Sequence, residues 1–162
     1  MGMEFPVNRR KADDSYPRDA RAGGSFFLEE CLMGTLQGFV LVFLGAGLGG
    51  MLRHTANLLS LRLLGPDLPA GTFLVNVLGS VAIGGVAGYV ASRGHGAQAL
   101  HLFLATGILG GFTTFSAFSL EAALLWERGR LVACVLYIGA SVVLSIAGVF
   151  AGLALARGGH VA

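Results

Sequence analysis

This sequence is short of charge. Asp, Glu, Lys and Arg together make up 12% of its 162 residues, whereas an average soluble domain carries about 25%. A soluble fold so poor in charge could not cover its own surface, so that class is excluded first. Lysine is almost missing: Lys11 is the only one, and beyond residue 33 the charged residues are Arg53, Arg62, Arg93, Arg128, Arg130, Arg157, Asp67, Glu121 and Glu127. A net charge of +2 says nothing useful about nucleic acid, and none is expected as a partner. Cysteine is also scarce. Cys31 lies in a polar stretch and Cys134 in an apolar run, so neither a disulfide framework nor a metal-ligand spacing follows. HExxH, GxSxG and paired carboxylates are all missing, and the histidines (His54, His95, His101, His160) are scattered. An enzyme is not expected. The first residues lack the apolar core and small-residue cleavage site of a signal peptide.

What is present is apolar sequence in quantity: 54% hydrophobic residues and a mean hydropathy of +0.73. A helix needs about 20 apolar residues to cross a bilayer. Residues 36–64, 71–92, 97–120 and 131–156 each supply such a run, the first interrupted by Arg53 and His54. Turn chemistry separates them at Gly65-Pro66-Asp67 with Pro69, at Arg93-Gly94-His95-Gly96, and at Glu127-Arg128-Gly129-Arg130. The expected architecture is an all-α, multi-pass membrane protein with four transmembrane helices and both termini on one side. Residues 1–32 form a polar, aperiodic extension expected to be disordered, and residues 33–162 form the membrane domain. Met33 would serve well as an initiator, so the extension is expected to be a dispensable tail or no part of the native product.

Glycine is plentiful, with 26 residues, and recurs as Gly45/Gly49, Gly84/Gly88, Gly107/Gly111 and Gly148/Gly152. Small residues at this spacing let membrane helices approach closely. The stretch Gly45-Ala46-Gly47-Leu48-Gly49-Gly50 also fits GxGxxG, but the dinucleotide fingerprint needs a strand–turn–helix setting that an apolar 22-residue second run cannot supply. Helix packing explains it better. Charge asymmetry is slight: without the tail, Arg93 and Arg157 on one side face Arg62, Arg128 and Arg130 on the other. The positive-inside rule then sets almost no orientation, and insertion in both directions is permitted.

Polar groups inside lipid are functional candidates by default. Arg53 and His54 lie in the first run and Asn76 early in the second. The third run reads Gly110-Gly111-Phe112-Thr113-Thr114-Phe115-Ser116-Ala117-Phe118-Ser119. Paired glycines followed by threonines predict a helix broken near mid-membrane, which is tolerated only inside protein or beside a cavity. Carbonyls freed there are suited to a cation such as Na⁺. Phe112, Phe115 and Phe118 recur every third residue, as on one helical face. A phenyl ring has a positive edge, so ring edges attract an anion without a full charge that would hold it too tightly. In the fourth run Tyr137, Ser141 and Ser145 form a polar stripe at four-residue spacing.

These residues resemble a known family. Gly110 through Ser119 is similar to the GGxTTFSTFS signature of the Fluc/CrcB fluoride channels, with Ala117 in place of Thr. Gly71 through Ser80 is similar to the family's GTLxVNxxGS, and Gly49 through His54 to its GGxxRY, with His54 in place of Tyr. Tyr137 and Ser141 match its fourth helix. The resemblance implies a passive channel that exports cytoplasmic fluoride across the cell (inner or plasma) membrane and relieves its toxicity. It implies an antiparallel, dual-topology homodimer, or a pair with an oppositely oriented paralogue, with two pores. It makes Phe115 and Phe118 the aromatic contacts to the ion. Asn76, Ser141, Ser145 and Thr114 become polar pore donors, with Tyr137 beside them, and Arg53 organises a vestibule. Gly110 and Thr113 become carbonyl ligands of a structural sodium ion. The rival expectations are a small proton-coupled drug transporter of the four-helix dimer type, and a non-transporting scaffold subunit. The transporter needs a carboxylate in the first helix, and that run has none; Glu121 is the remaining acid within reach of a span.

Overall fold

The computed structural model describes residues 19–65, 69–93 and 98–158, with side chains from residue 34 onward except at 92 and 93. The tail residues 1–18, the turn residues Pro66, Asp67, Gly94, His95 and Gly96, and His160 lie outside the described residues. The chain divides into Met1–Leu36 and Gln37–Ala162. Of the first unit, the helical course of residues 19–36 is described; the second carries everything that follows.

The elements are α1 (Asp19–Leu64), α2 (Ala70–Arg93), α3 (Gln98–His101), a π-helical segment (Leu102–Leu109), α4 (Gly110–Phe112), α5 (Phe115–Glu127) and α6 (Leu131–Gly158). Among the described residues there is no strand. Four stretches are long and apolar enough to cross a membrane: Gly34–Leu64, Ala70–Ala91, Gln98–Glu127 and Leu131–Gly158. In lipid every backbone polar group must find its partner within the segment, which is why such runs fold as helices. The third runs past the expected residue 120 because Glu121 does not end the helix; its carboxylate is taken up inside the fold.

The side-chain distribution is that of a protein solvated by hydrocarbon. Phe43 is 78% exposed, Val132 75% and Phe150 68%. The buried residues are mostly small or polar, with Thr72 and Val75 the most enclosed. Glycine sets the helix spacing. A Cβ added to Gly49 would collide with the backbone of Ile108 and Phe112, and one on Gly111 with Ala46. α1 therefore lies backbone to backbone on the third span. α2 and α6 also pack closely along their length; there, added Cβ atoms on Gly84 and Gly152 would strike the backbones of Val149 and Val81.

The turns explain themselves. Gly65, at φ 79°, ends α1, and its N–H donates to the Leu61 carbonyl at 3.1 Å. Gly129, at φ 70°, closes α5: its N–H donates to Trp126 O at 2.9 Å, and Arg130 N–H donates to Leu125 O at 3.0 Å. This double closure is the Schellman motif, and it needs a residue without a Cβ at the left-handed position.

Candidate functional site

The third span carries two irregularities. In Leu102–Leu109 the helix widens, with the Gly110 N–H reaching back to Ala105 O. π-Helical turns are uncommon and gather at functional sites. Here the wide stretch includes Gly107, whose backbone meets that of Gly45 on α1. Then α4 stops at Phe112 and α5 begins at Phe115, with Thr113 (φ −82°, ψ 155°) and Thr114 (φ −153°, ψ 118°) extended between them.

Asn76 closes that gap. Its Nδ2 donates to Thr114 O at 3.0 Å, and its Oδ1 accepts from Thr114 N–H at 2.8 Å. One amide side chain thus satisfies both backbone groups of the extended residue, as a neighbouring strand would. Thr114 in turn caps α5: its Oγ1 accepts from Ala117 N–H at 3.2 Å and lies 3.1 Å from Ser116 Oγ. In an unbroken helix the N–H groups of Thr114 and Ala117 would have bonded the carbonyls of Gly110 and Thr113. Both donors are now engaged elsewhere, and neither carbonyl has a backbone partner among the described residues. Gly79 of α2 faces the break so closely that a Cβ there would overlap the Thr113 methyl.

Beside the break lies a cavity of about 330 Å³. Asn76, Thr114, Phe115, Phe118, Ser141 and Ser145 line it, as do Gly110 and Thr113. None of its described lining residues carries a formal charge. The Phe115 and Phe118 rings meet at 5.4 Å with a 45° tilt. Phe118 is buried, whereas Phe115 is 77% exposed, so the cavity is open on its side. The Ser141 hydroxyl is buried with no hydrogen-bond partner. A buried donor left unmet is unfavourable by about 1–3 kcal/mol, which a polar occupant of the cavity would relieve.

Two sequence candidates lie elsewhere. Tyr137 stands behind the wall: its ring packs on Phe118 at 5.3 Å, and its hydroxyl donates to Glu121 Oε2 at 2.7 Å. Arg53 is half-buried on α1 and lines neither this cavity nor the second one described below. Phe112 also parts from Phe115 and Phe118, because the break interrupts the helical period that would have aligned them. The group whose place sequence reasoning did not find is Glu121, weighed there only as the acid of a rival transporter. Thr72 Oγ1 donates to its Oε1 at 2.7 Å, so with Tyr137 both carboxylate oxygens are engaged, joining α2, α5 and α6. An acid within a membrane-capable helix was the available signal, and Thr72 stood in the same motif as Asn76.

Fold and site together define a multi-pass α-helical membrane protein with an uncharged polar cavity at a helix break. Comparison with known proteins names the family. Residues 40–153 match the family described as "CrcB-like protein, Camphor Resistance (CrcB)". The "Fluoride-specific ion channel FluC 2" of Nitrobacter hamburgensis is 56% identical over 119 residues, which cover 74% of this chain and 96% of that protein. The "Fluoride-specific ion channel FluC" of Rhodopseudomonas palustris (strain BisB5) is 58% identical over 119 residues, covering 74% and 96%. That of Methylobacterium nodulans is 58% identical over 118 residues, covering 73% and 94%. The chain belongs to the CrcB family.

Proposed function

We propose that this protein is a fluoride-selective channel that lets cytoplasmic fluoride leave the cell passively. The observation that carries the reading is the uncharged cavity in which the Phe118 ring and the hydroxyls of Ser141 and Ser145 converge on a broken helix. Fluoride is small and strongly hydrated. A path for it must replace water with several donors and yet release the ion, which argues for ring edges and hydroxyls over a fixed cation. Fluoride enters cells as HF from acid surroundings and is trapped as the anion at neutral pH. The membrane potential then drives it outward, and no energy coupling is required.

Phe115 and Phe118 would offer ring edges to the ion, and Ser141 and Ser145 hydroxyl protons. Thr114 and Asn76 are held by each other, so their part is to fix the break that shapes the cavity. The open side at Phe115 fits closure by a second copy, and the balanced arginines of the two faces favour that copy being inverted, as an antiparallel homodimer in the cell membrane with the break at mid-bilayer depth. The freed carbonyls of Gly110 and Thr113 fit a hard cation, which prefers oxygen ligands. A sodium ion held there would tie the broken segment in place by neutralising aligned carbonyl dipoles.

Expression of the chain in a bacterial strain lacking its own fluoride exporter is expected to restore growth in medium containing fluoride, with no gain against chloride stress. Expressed, membrane-inserted protein that leaves the strain as sensitive as before would contradict the reading.

A further inference from the structure

A second cavity, also about 330 Å³, opens where α1 ends and α5 turns into α6, and its walls include Asn57, Ser60, Thr72, Glu121 and Arg128. It is set apart from the first cavity by a shared wall. Glu121 faces the second cavity and Phe118 faces the first. Tyr137 touches both, with its hydroxyl on Glu121 at 2.7 Å and its ring on Phe118 at 5.3 Å.

The second cavity differs from the first in carrying charge. Its described charged groups are the Glu121 carboxylate and the Arg128 guanidinium. The carboxylate oxygens are occupied by Thr72 and Tyr137, and Arg128 makes no ion pair among the described residues. The arginine is nevertheless fixed in place at its backbone. It stands at the C-terminus of α5, donating its N–H to Leu124 O at 3.1 Å, and the following Gly129 and Arg130 complete the turn. The same cavity holds a polar group with nothing to bind: Asn57 Oδ1 is buried without a hydrogen-bond partner. An unmet acceptor in a roomy polar cavity calls for water. At about 30 Å³ per molecule the space takes on the order of ten waters.

Resting on the fluoride-channel reading, we propose that Arg128 is the charge that gathers hydrated fluoride at the mouth of the path. The waters of the hydrated ion meet the Asn57 acceptor and the Ser60 hydroxyl, while Arg128 offsets the Glu121 carboxylate. Without Arg128, Glu121 is the remaining formal charge on the described wall, and the mouth repels the anion it must admit. The guanidinium acts on entry; the uncharged inner cavity sets passage.

The test is single-channel fluoride conductance of the full-length protein in planar bilayers, measured against fluoride concentration. Potassium gluconate sets the ionic strength. In Arg128→Gln the half-saturating fluoride concentration is expected to rise about 5-fold at ~0.01 M ionic strength, with the saturating conductance unchanged. Arg128→Lys should restore it. At ~1 M salt, where the screening length falls to about 3 Å, the variants should converge. Half-saturation in Arg128→Gln equal to that of the unaltered protein at low salt would overturn the proposal alone. So would a loss independent of salt and unrescued by lysine. No fluoride current from the unaltered, folded protein would overturn the channel reading itself and this proposal with it.

Discussion

Replacing Asn76 with aspartate is expected to reduce fluoride flux about 100-fold. The substitution is nearly isosteric but reverses one of the two bonds at the helix break. Asn76 Nδ2 donates to Thr114 O at 3.0 Å; a carboxylate oxygen in its place faces that carbonyl as one acceptor against another. The bond from Thr114 N–H to Oδ1 survives, so the chain still has an anchor for α2 on the third span. Leaving a buried partner unsatisfied is unfavourable by about 1–3 kcal/mol, and more where charge is involved. A negative charge on the wall of an anion path adds a repulsion of its own. Together these effects reach about 3 kcal/mol, and each 1.36 kcal/mol is a factor of ten in rate. Fluoride efflux from liposomes holding equal amounts of monodisperse variant and unaltered protein measures the difference. Undiminished flux in Asn76→Asp would remove this cavity from the ion path.

The second large effect is on folding and comes from glycines two residues apart. Gly49→Ala places a methyl group into the Ile108 carbonyl and the Phe112 backbone. The obstacle is backbone and cannot rotate away, so α1 must lift off the third span at the level of the π-helical segment. Overpacking of this kind is unfavourable by about 1–3 kcal/mol and sometimes more. Gly47→Ala meets nothing within 4 Å, and alanine is the better helix former by about 1 kcal/mol. Thermal unfolding in detergent, followed by loss of the monodisperse size-exclusion peak, should show Gly49→Ala melting well below the unaltered protein and Gly47→Ala at or above it. Equal melting of the two variants would mean that close α1 packing does not hold the bundle together.

The two glycines also mark how much of the packing is written in the sequence. That glycine would pack helices was legible from its spacing, but which glycines do so was not: Gly47 and Gly49 look alike in sequence and differ only in what lies opposite. The four spans were legible because hydropathy over 20 residues reflects the solvent directly. The break at Thr113 and Thr114 was suggested by weak helix formers in a row, yet its closure by Asn76 is a contact across 38 residues. The π-helical segment left no mark in Leu102–Leu109, since its conformation goes with the backbone approach of Gly45 to Gly107. Glu121 was weighed only as the carboxylate of a rival transporter, because an acid after an apolar run looks like the end of a span. Only the hydroxyls of Thr72 and Tyr137, brought in from two other helices, make room for it inside. Tyr137 was correctly aligned with Ser141 and Ser145 on α6, but spacing could not reveal that its hydroxyl turns toward Glu121. Phe112 was grouped with Phe115 and Phe118 by counting a helical period across residues that are not helical.

A fluoride-selective channel made of this chain without another protein must pass fluoride and reject chloride. Purified protein in liposomes loaded with potassium fluoride or potassium chloride, with valinomycin carrying the potassium, tests it most directly through an ion-selective electrode. Fast fluoride release, and no chloride release above that of protein-free liposomes, is the expected result. Equal release of both anions, or none of either from folded protein, would contradict it.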